Sequence, residues 1–201
     1  TNKKAISKYM KGFALNEAFV QYSAGIVTSR DKLVIDTDKQ TLQQRLQEFY
    51  TIPATTYQQK YKVSEKHDWK IDVIRQKSNA FSSSFIQPIS YRPFDERYIY
   101  YNEHFIERSR KQVTPQLLHA QNIGLVFRRQ QPDTKDLYVF ISKNMIADGY
   151  IRSGNKGSES IAPLFLYSTK TNKPKSNINY QIQRKIEHIV QTTITPYQFF
   201  D

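Results

Sequence analysis

The side chains best placed for chemistry in this sequence are cations that fall in five short segments. Each segment is predicted to be a loop or a strand end, because turn-forming residues lie within or beside it. A guanidinium at the end of a rigid strand can donate paired hydrogen bonds to guanine O6 and N7, and glutamine can pair with adenine N6 and N7. Lysines more often contact phosphates. The candidate contact residues are Arg30, Lys32, Arg92, Arg97, Arg108, Arg110, Lys111, Arg128, Arg129, Gln130, Arg152 and Lys156.

The alternative interpretation is that these cations are solvated surface charges or members of structural ion pairs. Arg92 and Asp95, for example, share one turn and are close enough in sequence to pair with each other. Taken one at a time, the arginines do not decide between the two interpretations. The grouping of the cations in five loop segments favours a binding surface.

Patterns typical of an active site or a metal centre are missing from the sequence. The four histidines have no i, i+4 spacing, and the absence of cysteine excludes a thiolate zinc site, a cysteine nucleophile and disulfides. The turn Gly154–Gly157 lacks the Lys-Ser/Thr that completes a phosphate-binding loop, and Asp136–Lys143 lacks the carboxylate partners of a nuclease site. We therefore expect no catalytic residue, no metal ligand and no cofactor in this chain.

The charge balance of the chain suits a polyanionic partner. Its 201 residues contain 30 Lys and Arg against 18 Asp and Glu, a net charge of +12. Each phosphate that a cation neutralises releases counterions, which favours binding to nucleic acid. The charge alone would equally suit any soluble basic protein. No apolar run approaches the roughly 18 residues that a membrane span requires, and the lack of cysteine suits the cytoplasm.

Helices are predicted in the first half of the chain. Leu42, Leu46 and Phe49 recur at helical spacing after a capping Asp38, which predicts a helix through Tyr50. A second helix, with Ile71 and Ile74 on its buried side, is predicted to begin after Asp68. We expect helical spacing over 3–19, a strand, turn and strand over 25–36, and an irregular connection over 51–66.

From residue 85 onward the apolar period shifts toward two, which predicts short strands. We expect these strands at 85–92, 97–101, 122–129, 137–142 and 161–167. The resulting fold class is α+β, with a mostly antiparallel central sheet and flanking helices in a single domain at 1–167. Residues 168–201 are expected to form a basic linker, a helix over 180–190 and the start of a truncated C-terminal helical segment.

Several of these segments resemble the C-terminal specificity domain of type ISP restriction–modification enzymes, which are single-polypeptide relatives of type I systems. The Tyr-Arg-Pro-Phe-Asp element with its tyrosine-rich continuation is the most specific part of the resemblance. The similarity follows the family order through most of the chain. The matching segments are Gly25–Asp36, Pro88–Tyr101, Asn122–Gln130, Val139–Asp148 and Pro163–Tyr167.

The resemblance implies that the chain is one part of a larger bacterial, cytoplasmic enzyme. In the family, a nuclease, an ATP-driven helicase-like translocase and an adenine-N6 methyltransferase that uses S-adenosylmethionine precede the specificity domain. ATP, Mg²⁺ and S-adenosylmethionine would therefore act upstream, since this sequence has no Asn-Pro-Pro-Tyr motif and no helicase motif. The implied function is sequence-specific recognition of double-stranded DNA, without catalysis by this fragment. The alternative is an interaction module that docks the methyltransferase and translocase domains to each other.

Overall fold

In the described residues, ten short strands in three sheets form the framework of the chain. The computed structural model describes residues 3–4, 7, 11–119, 121–128, 138–151, 159–168, 171 and 173–200. In the described residues, the first sheet has the order β2-β4-β3-β7, the second β1-β8-β5-β6, and β10 pairs with β9. The strands are β1 Ser23–Ala24, β2 Ile35–Asp36, β3 Ile86–Arg92, β4 Asp95–Tyr100, β5 Gly124–Phe127, β6 Phe140–Ser142, β7 Met145–Ile146, β8 Ser160–Pro163, β9 Phe165–Tyr167 and β10 Pro174–Ser176.

The first sheet is built around the β3–β4 hairpin. These two strands are antiparallel, and the pairing of Arg92 with Asp95 leaves a turn of two residues, Pro93 and Phe94. Strand β2 pairs antiparallel with β4, whereas β7 runs parallel to β3. The second sheet and the β9–β10 pair are antiparallel. The predicted α+β class with a mostly antiparallel sheet is confirmed.

Helices pack on the first sheet and supply part of its core. The described helices are Asp31–Val34, Lys39–Thr51, Ala54–Tyr61, Ile71–Ser78 and Tyr180–Val190, with 3₁₀ turns at Leu15–Ala18, Ser83–Phe85 and Thr114–Leu118. As predicted, the Asp38 side chain caps the second helix by accepting a hydrogen bond from the Thr41 N–H at 2.7 Å. The predicted face of that helix is fully buried among the aromatic side chains of the core.

The segment before the first long helix differs from the prediction. Instead of a strand, a turn and a strand, residues 31–34 form one helical turn before β2. The N–H groups of Leu33 and Val34 donate to the Arg30 carbonyl at 2.8 and 3.1 Å, so the β-branched run begins as a helix. The pattern of apolar residues is the same for a short helix and a short strand, which explains the error.

Two further predictions for residues 51–70 are wrong. The expected irregular connection contains the helix Ala54–Tyr61, which buries Tyr57 completely. The helix predicted to start after Asp68 begins at Ile71 without a cap from that residue, and the Glu65 carboxylate accepts from the Ile71 N–H at 2.8 Å instead.

The C-terminal part of the chain joins the second sheet through Asn177, which is fully buried. Its side-chain amide donates to the carbonyls of Gln21 and Pro163 at 2.7 Å each. Strand β10 lies where the sequence predicts a linker, and the predicted helix at 180–190 is present. The boundary between 167 and 168 stays a prediction. Of the expected helix at 3–19, the described residues include the 3₁₀ turn Leu15–Ala18.

None of the helices in the described parts of the chain has the length and apolar character needed to cross a membrane.

One buried side chain, Arg45, holds the short helix Asp31–Val34 against the first sheet. Its Nη1 donates to the carbonyls of Lys32, Leu33 and Ile35 at 2.8, 3.3 and 3.3 Å, and its Nη2 forms a salt bridge with Asp36. These carbonyls lie at the end of the helix or just beyond it, where they have few partners within the helix. The Arg45 guanidinium therefore fixes the residues that follow Arg30.

Replacing Arg45 with methionine should destabilise the fold by about 3 kcal/mol, because buried carbonyls and the Asp36 carboxylate would lose their partner. Urea unfolding followed by the fluorescence of Trp69, the single buried tryptophan, measures this change. Lys60→Met is the control, since Lys60 forms an exposed ion pair with Glu48 that contributes little. Equal unfolding midpoints for the two variants would contradict the role assigned to Arg45.

Candidate nucleic-acid interface

Three of the five predicted cationic segments meet at residues 25–32. The backbone of Val27 exchanges hydrogen bonds with that of Arg108, at 3.2 and 2.9 Å. The Asp148 N–H donates to the Ile26 carbonyl at 2.8 Å, which brings in the strand beside the β3–β4 hairpin. A Cβ at Gly25 would lie 2.4 Å from the Ala147 carbonyl oxygen, so this close approach requires glycine. We call the surface formed here by Arg30, Lys32, Arg92, Arg97, Arg108, Arg110 and Lys111 the cationic surface.

Arg30 forms one wall of a pocket of about 480 Å³. Its guanidinium stacks 4.4 Å from the centre of the Trp69 ring, and burial lowers its pKa while Asp68 and Glu107 oppose that change. An arginine nevertheless stays protonated in proteins. The lining also contains Lys32, Lys62, Lys66 and the Ser64 hydroxyl, which are donors suited to an anion. The Asp31 carboxylate lies in the same lining, and the Ser29 hydroxyl there donates to Glu107.

Tyr91 lies between two guanidinium groups at the base of the hairpin turn. Arg97 and Arg92 stack on its ring at 3.9 and 4.2 Å from the centre, and its hydroxyl donates to Asp31 at 2.8 Å. Burial, followed by the hydrogen bond to Asp31, raises the pKa of Tyr91. The stacking restricts both guanidiniums, and the hydrogen bond from Tyr91 to Asp31 links the hairpin to the segment at 25–32.

Asp95 pairs with Arg97 and not with Arg92, contrary to the pairing considered from the sequence. Arg97 donates from Nε and Nη2 to the two oxygens of Asp95, at 2.7 to 3.1 Å. These hydrogen bonds lower the pKa of Asp95. The reason is geometric, because residues two apart in a strand share a face. Arg92 Nη1 donates to the carbonyls of Tyr91 and Asp148 at 2.6 and 3.5 Å.

The segment at 108–111 presents cations of different exposure. The Arg108 side chain is 62% exposed, with Glu107 at 3.9 Å, and Lys111 is exposed in an ion pair with Glu103. Arg110 is partly buried and donates from Nε to the Gly25 carbonyl at 3.2 Å. Arg108 is therefore the least restrained of these three side chains.

Backbone strain is concentrated at the cationic surface. Among the described residues, six that are not glycine have positive φ, and three of these, Lys62, Asn79 and Gln191, follow helix C-termini. Lys62 and Gln191 adopt the left-handed conformation that is common there. The other three are Ser29, Phe94 and Arg110, with φ of 56°, 64° and 55°. Each costs about 1 kcal/mol, and such strain is found preferentially at functional sites. One strained residue lies in each of the three segments that meet here.

The remaining two predicted segments do not join this surface in the described residues. The Arg128 side chain, expected at the end of a strand, is only 6% exposed, and its Nε lies 3.4 Å from the Glu159 carboxylate. Glu159 is 1% exposed, and in the described part of the chain neither of its oxygens accepts a hydrogen bond. Arg128 therefore compensates a buried charge. Arg129, Gln130, Arg152 and Lys156 lie outside the described residues.

Sequence reasoning missed Lys62, Lys66 and Phe94. The two lysines fall in a segment predicted to be an irregular connection, and a pair of cations beside Ser64 was the available signal. Phe94 follows the proline of a two-residue turn, a position at which a large apolar side chain is unusual. Within the described ranges, no three His, Asp or Glu side chains lie close enough together to hold a metal ion.

An α+β scaffold that gathers cationic loops at one place is typical of a DNA-recognition domain. The chain belongs to the Type ISP C-terminal specificity domain family, whose model matches residues 17–201. The resemblance found in the sequence is thereby confirmed. No curated protein sequence matches the chain.

Three solved structures have a similar fold. A cryoEM structure of a DrdV–DNA complex is 20% identical, with a TM-score of 0.64 over 91% of this chain and 19% of that chain. A nuclease-deletion mutant of the Type ISP restriction-modification enzyme LlaGI, in complex with a DNA substrate mimic, is 22% identical, with a TM-score of 0.56. The match covers 81% of this chain and 17% of that chain. The ATP-dependent Type ISP restriction-modification enzyme LlaBIII, bound to DNA, is 16% identical, with a TM-score of 0.61. The match covers 90% of this chain and 12% of that chain. The chain spans less than a fifth of each of these proteins.

Replacing Arg128 with methionine should destabilise the fold by about 3 kcal/mol, because Glu159 would remain buried without a counter-charge. The double variant Arg128→Met/Glu159→Leu should regain much of this loss, and urea unfolding measures both. If Arg128→Met unfolds at the wild-type urea concentration, the ion pair is not structural, and Arg128 again becomes a candidate DNA contact.

Proposed function

We propose that this chain binds double-stranded DNA and reads the target sequence for a larger restriction–modification enzyme. The observation that carries the proposal is the convergence of three cationic segments on residues 25–32, each with a strained residue. Family membership supports it, and so do the DNA complexes of the three proteins with a similar fold. A cationic surface formed by loops on a rigid sheet is suited to following a phosphate backbone.

The cations of this surface differ in their proposed roles. Arg30 and Lys32, with the lysines of the adjacent pocket, hold a phosphate, because they line a concave site rich in donors. The exposed Arg108 and Lys111 contact the backbone on the other side of the segment at 25–32. Arg97 orients the hairpin through Asp95 and Tyr91.

Arg92 and Arg110 are the proposed base readers among the described residues. Each uses one guanidinium nitrogen to fix its orientation on a backbone carbonyl, which leaves further N–H groups for a base edge. Arg129, Gln130, Arg152 and Lys156 remain predicted contacts. Arg128 is excluded from this proposal because its guanidinium is buried against Glu159.

The chemistry of the whole enzyme is proposed to lie in other domains. Since the chain spans less than a fifth of its structural neighbours, we infer that nuclease, ATP-driven translocase and adenine-N6 methyltransferase parts precede it. ATP, Mg²⁺ and S-adenosylmethionine would bind in those parts, in the cytoplasm of a bacterium. The specificity domain itself would contribute recognition and no catalytic group.

Binding of this chain to a fluorescent DNA duplex, followed by anisotropy across a salt series, tests the proposal. We expect the affinity to fall steeply with salt, and Lys32→Ala and Arg108→Ala each to reduce the slope of log K against log salt by about one. Lys185→Ala is the matched control, because it removes the same charge from an exposed position on the helix Tyr180–Val190.

Equal effects of all three replacements would contradict a localised interface and would favour the alternative of a module that docks other domains. Absence of duplex binding even at low salt would overturn the DNA-binding proposal itself.

A separate prediction concerns Arg92, one of the two proposed base readers. In a selection from random duplexes, Arg92→Ala should relax the preference at one position of the selected site, whereas Lys32→Ala should weaken all sequences alike. Sequencing of the bound pools measures the difference. An unchanged preference with Arg92→Ala would make Arg92 a phosphate contact.

A further inference from the structure

The turn of the β3–β4 hairpin carries a phenylalanine that neither burial nor backbone geometry favours. The side chain of Phe94 is 97% exposed, the largest value for a large apolar residue in the described parts of the chain. Among the described residues, its one ring contact is an edge-on approach to Phe140, with ring centres 6.3 Å apart. Exposure of this ring contributes nothing to the stability of the folded chain.

The backbone conformation at Phe94 is also unfavourable for phenylalanine. Pro93 occupies the first position of the two-residue turn and Phe94 the second, with φ of 64°. Turns of this kind favour glycine or asparagine at the second position, because a Cβ is strained at positive φ. A bulky side chain at this place therefore points to a contact outside the folded chain.

The surroundings of the ring favour a polyanion with flat apolar faces. Arg92 precedes the turn, and its guanidinium and that of Arg97 stack on Tyr91 at the base of the hairpin. The Asp95–Arg97 ion pair and the strand pairing hold the turn in place. An aromatic ring beside restrained guanidiniums is complementary to a nucleobase with its neighbouring phosphates. A purely apolar protein surface would leave unused the N–H groups of Arg92 other than those of Nη1, which donates to the Tyr91 and Asp148 carbonyls.

We propose that Phe94 inserts against a base face at one unstacked step of the bound duplex. The inserted ring supplies the stacking that the base loses, as apolar side chains do in other proteins that distort DNA. This inference rests on the proposed DNA-binding function and adds a stacking contact to the charged contacts described above. The hairpin turn would thereby fix where along the duplex the distortion occurs.

A duplex selected by the wild-type chain, with 2-aminopurine in place of each adenine in turn, tests the inference. We expect the wild-type chain to increase 2-aminopurine fluorescence at one position, because unstacking relieves quenching. Phe94→Ala should abolish this increase and weaken binding by about tenfold. The dependence of binding on salt should not change, since no charge is removed. Phe94→Trp should retain the fluorescence increase.

Two further variants separate stacking from folding. Phe94→Gly should unfold at a urea concentration equal to or higher than that of the wild type, because glycine relieves the strained φ, yet it should lose the fluorescence increase. Tyr180→Ala is the control for removing an exposed aromatic ring, since Tyr180 is 72% exposed on the helix Tyr180–Val190, away from the hairpin. It should leave both affinity and fluorescence unchanged.

The possible failures are distinguishable. A wild-type chain that binds no duplex would overturn the proposed function together with this inference. Wild-type binding that Phe94→Ala leaves unchanged in affinity and in fluorescence would overturn this inference alone, as expected if the ring contacts another protein domain. A tenfold loss of affinity without any change of fluorescence would also overturn it, because the ring would then contact DNA without unstacking a base.

Discussion

The cationic surface depends on the hydrogen bonds that the Arg45 guanidinium donates to the backbone. One planar, permanently charged group satisfies the carbonyls at the end of the helix Asp31–Val34 and the carboxylate of Asp36. The helix has only four residues and could not persist by its own hydrogen bonds. The Arg45 side chain therefore positions Arg30 and Lys32 at their pocket, although it comes from the long helix behind them.

From that fixed segment, the remaining parts of the surface are positioned by main-chain contacts and by stacking. Val27 and Arg108 pair through their backbones, and Tyr91 connects the hairpin to Asp31. The strained conformations at Ser29 and Arg110 are maintained because these surrounding contacts compensate their cost. Main-chain hydrogen bonds and stacking therefore hold these segments together without a partner, which limits the conformational entropy of the backbone that is lost on binding.

The sequence predicted those parts of the fold whose determinants are local. The helix capped by Asp38 and the two strands of the hairpin follow from apolar periodicity and were placed within a few residues. The helix Ala54–Tyr61 was missed because its apolar stripe is short: Tyr57 is fully buried, and Ala54 and Tyr61 are only partly buried against the core. The Arg128–Glu159 ion pair joins residues far apart in the chain, which no periodicity can reveal. The strand period of two, by contrast, could have identified the Asp95–Arg97 pair.

The backbone pairing of Val27 with Arg108 bears on how a specificity domain can change the DNA sequence that it prefers. Because the two segments are joined through N–H and carbonyl groups, the join does not depend on exposed side chains such as Lys32 and Arg108. The buried Ile26 and Ile106, by contrast, belong to the core. The exposed side chains there can be exchanged without disturbing the scaffold that holds them. New specificities can therefore arise by substitution on an unchanged frame, and the same property makes this face a suitable place for engineering altered sequence preference.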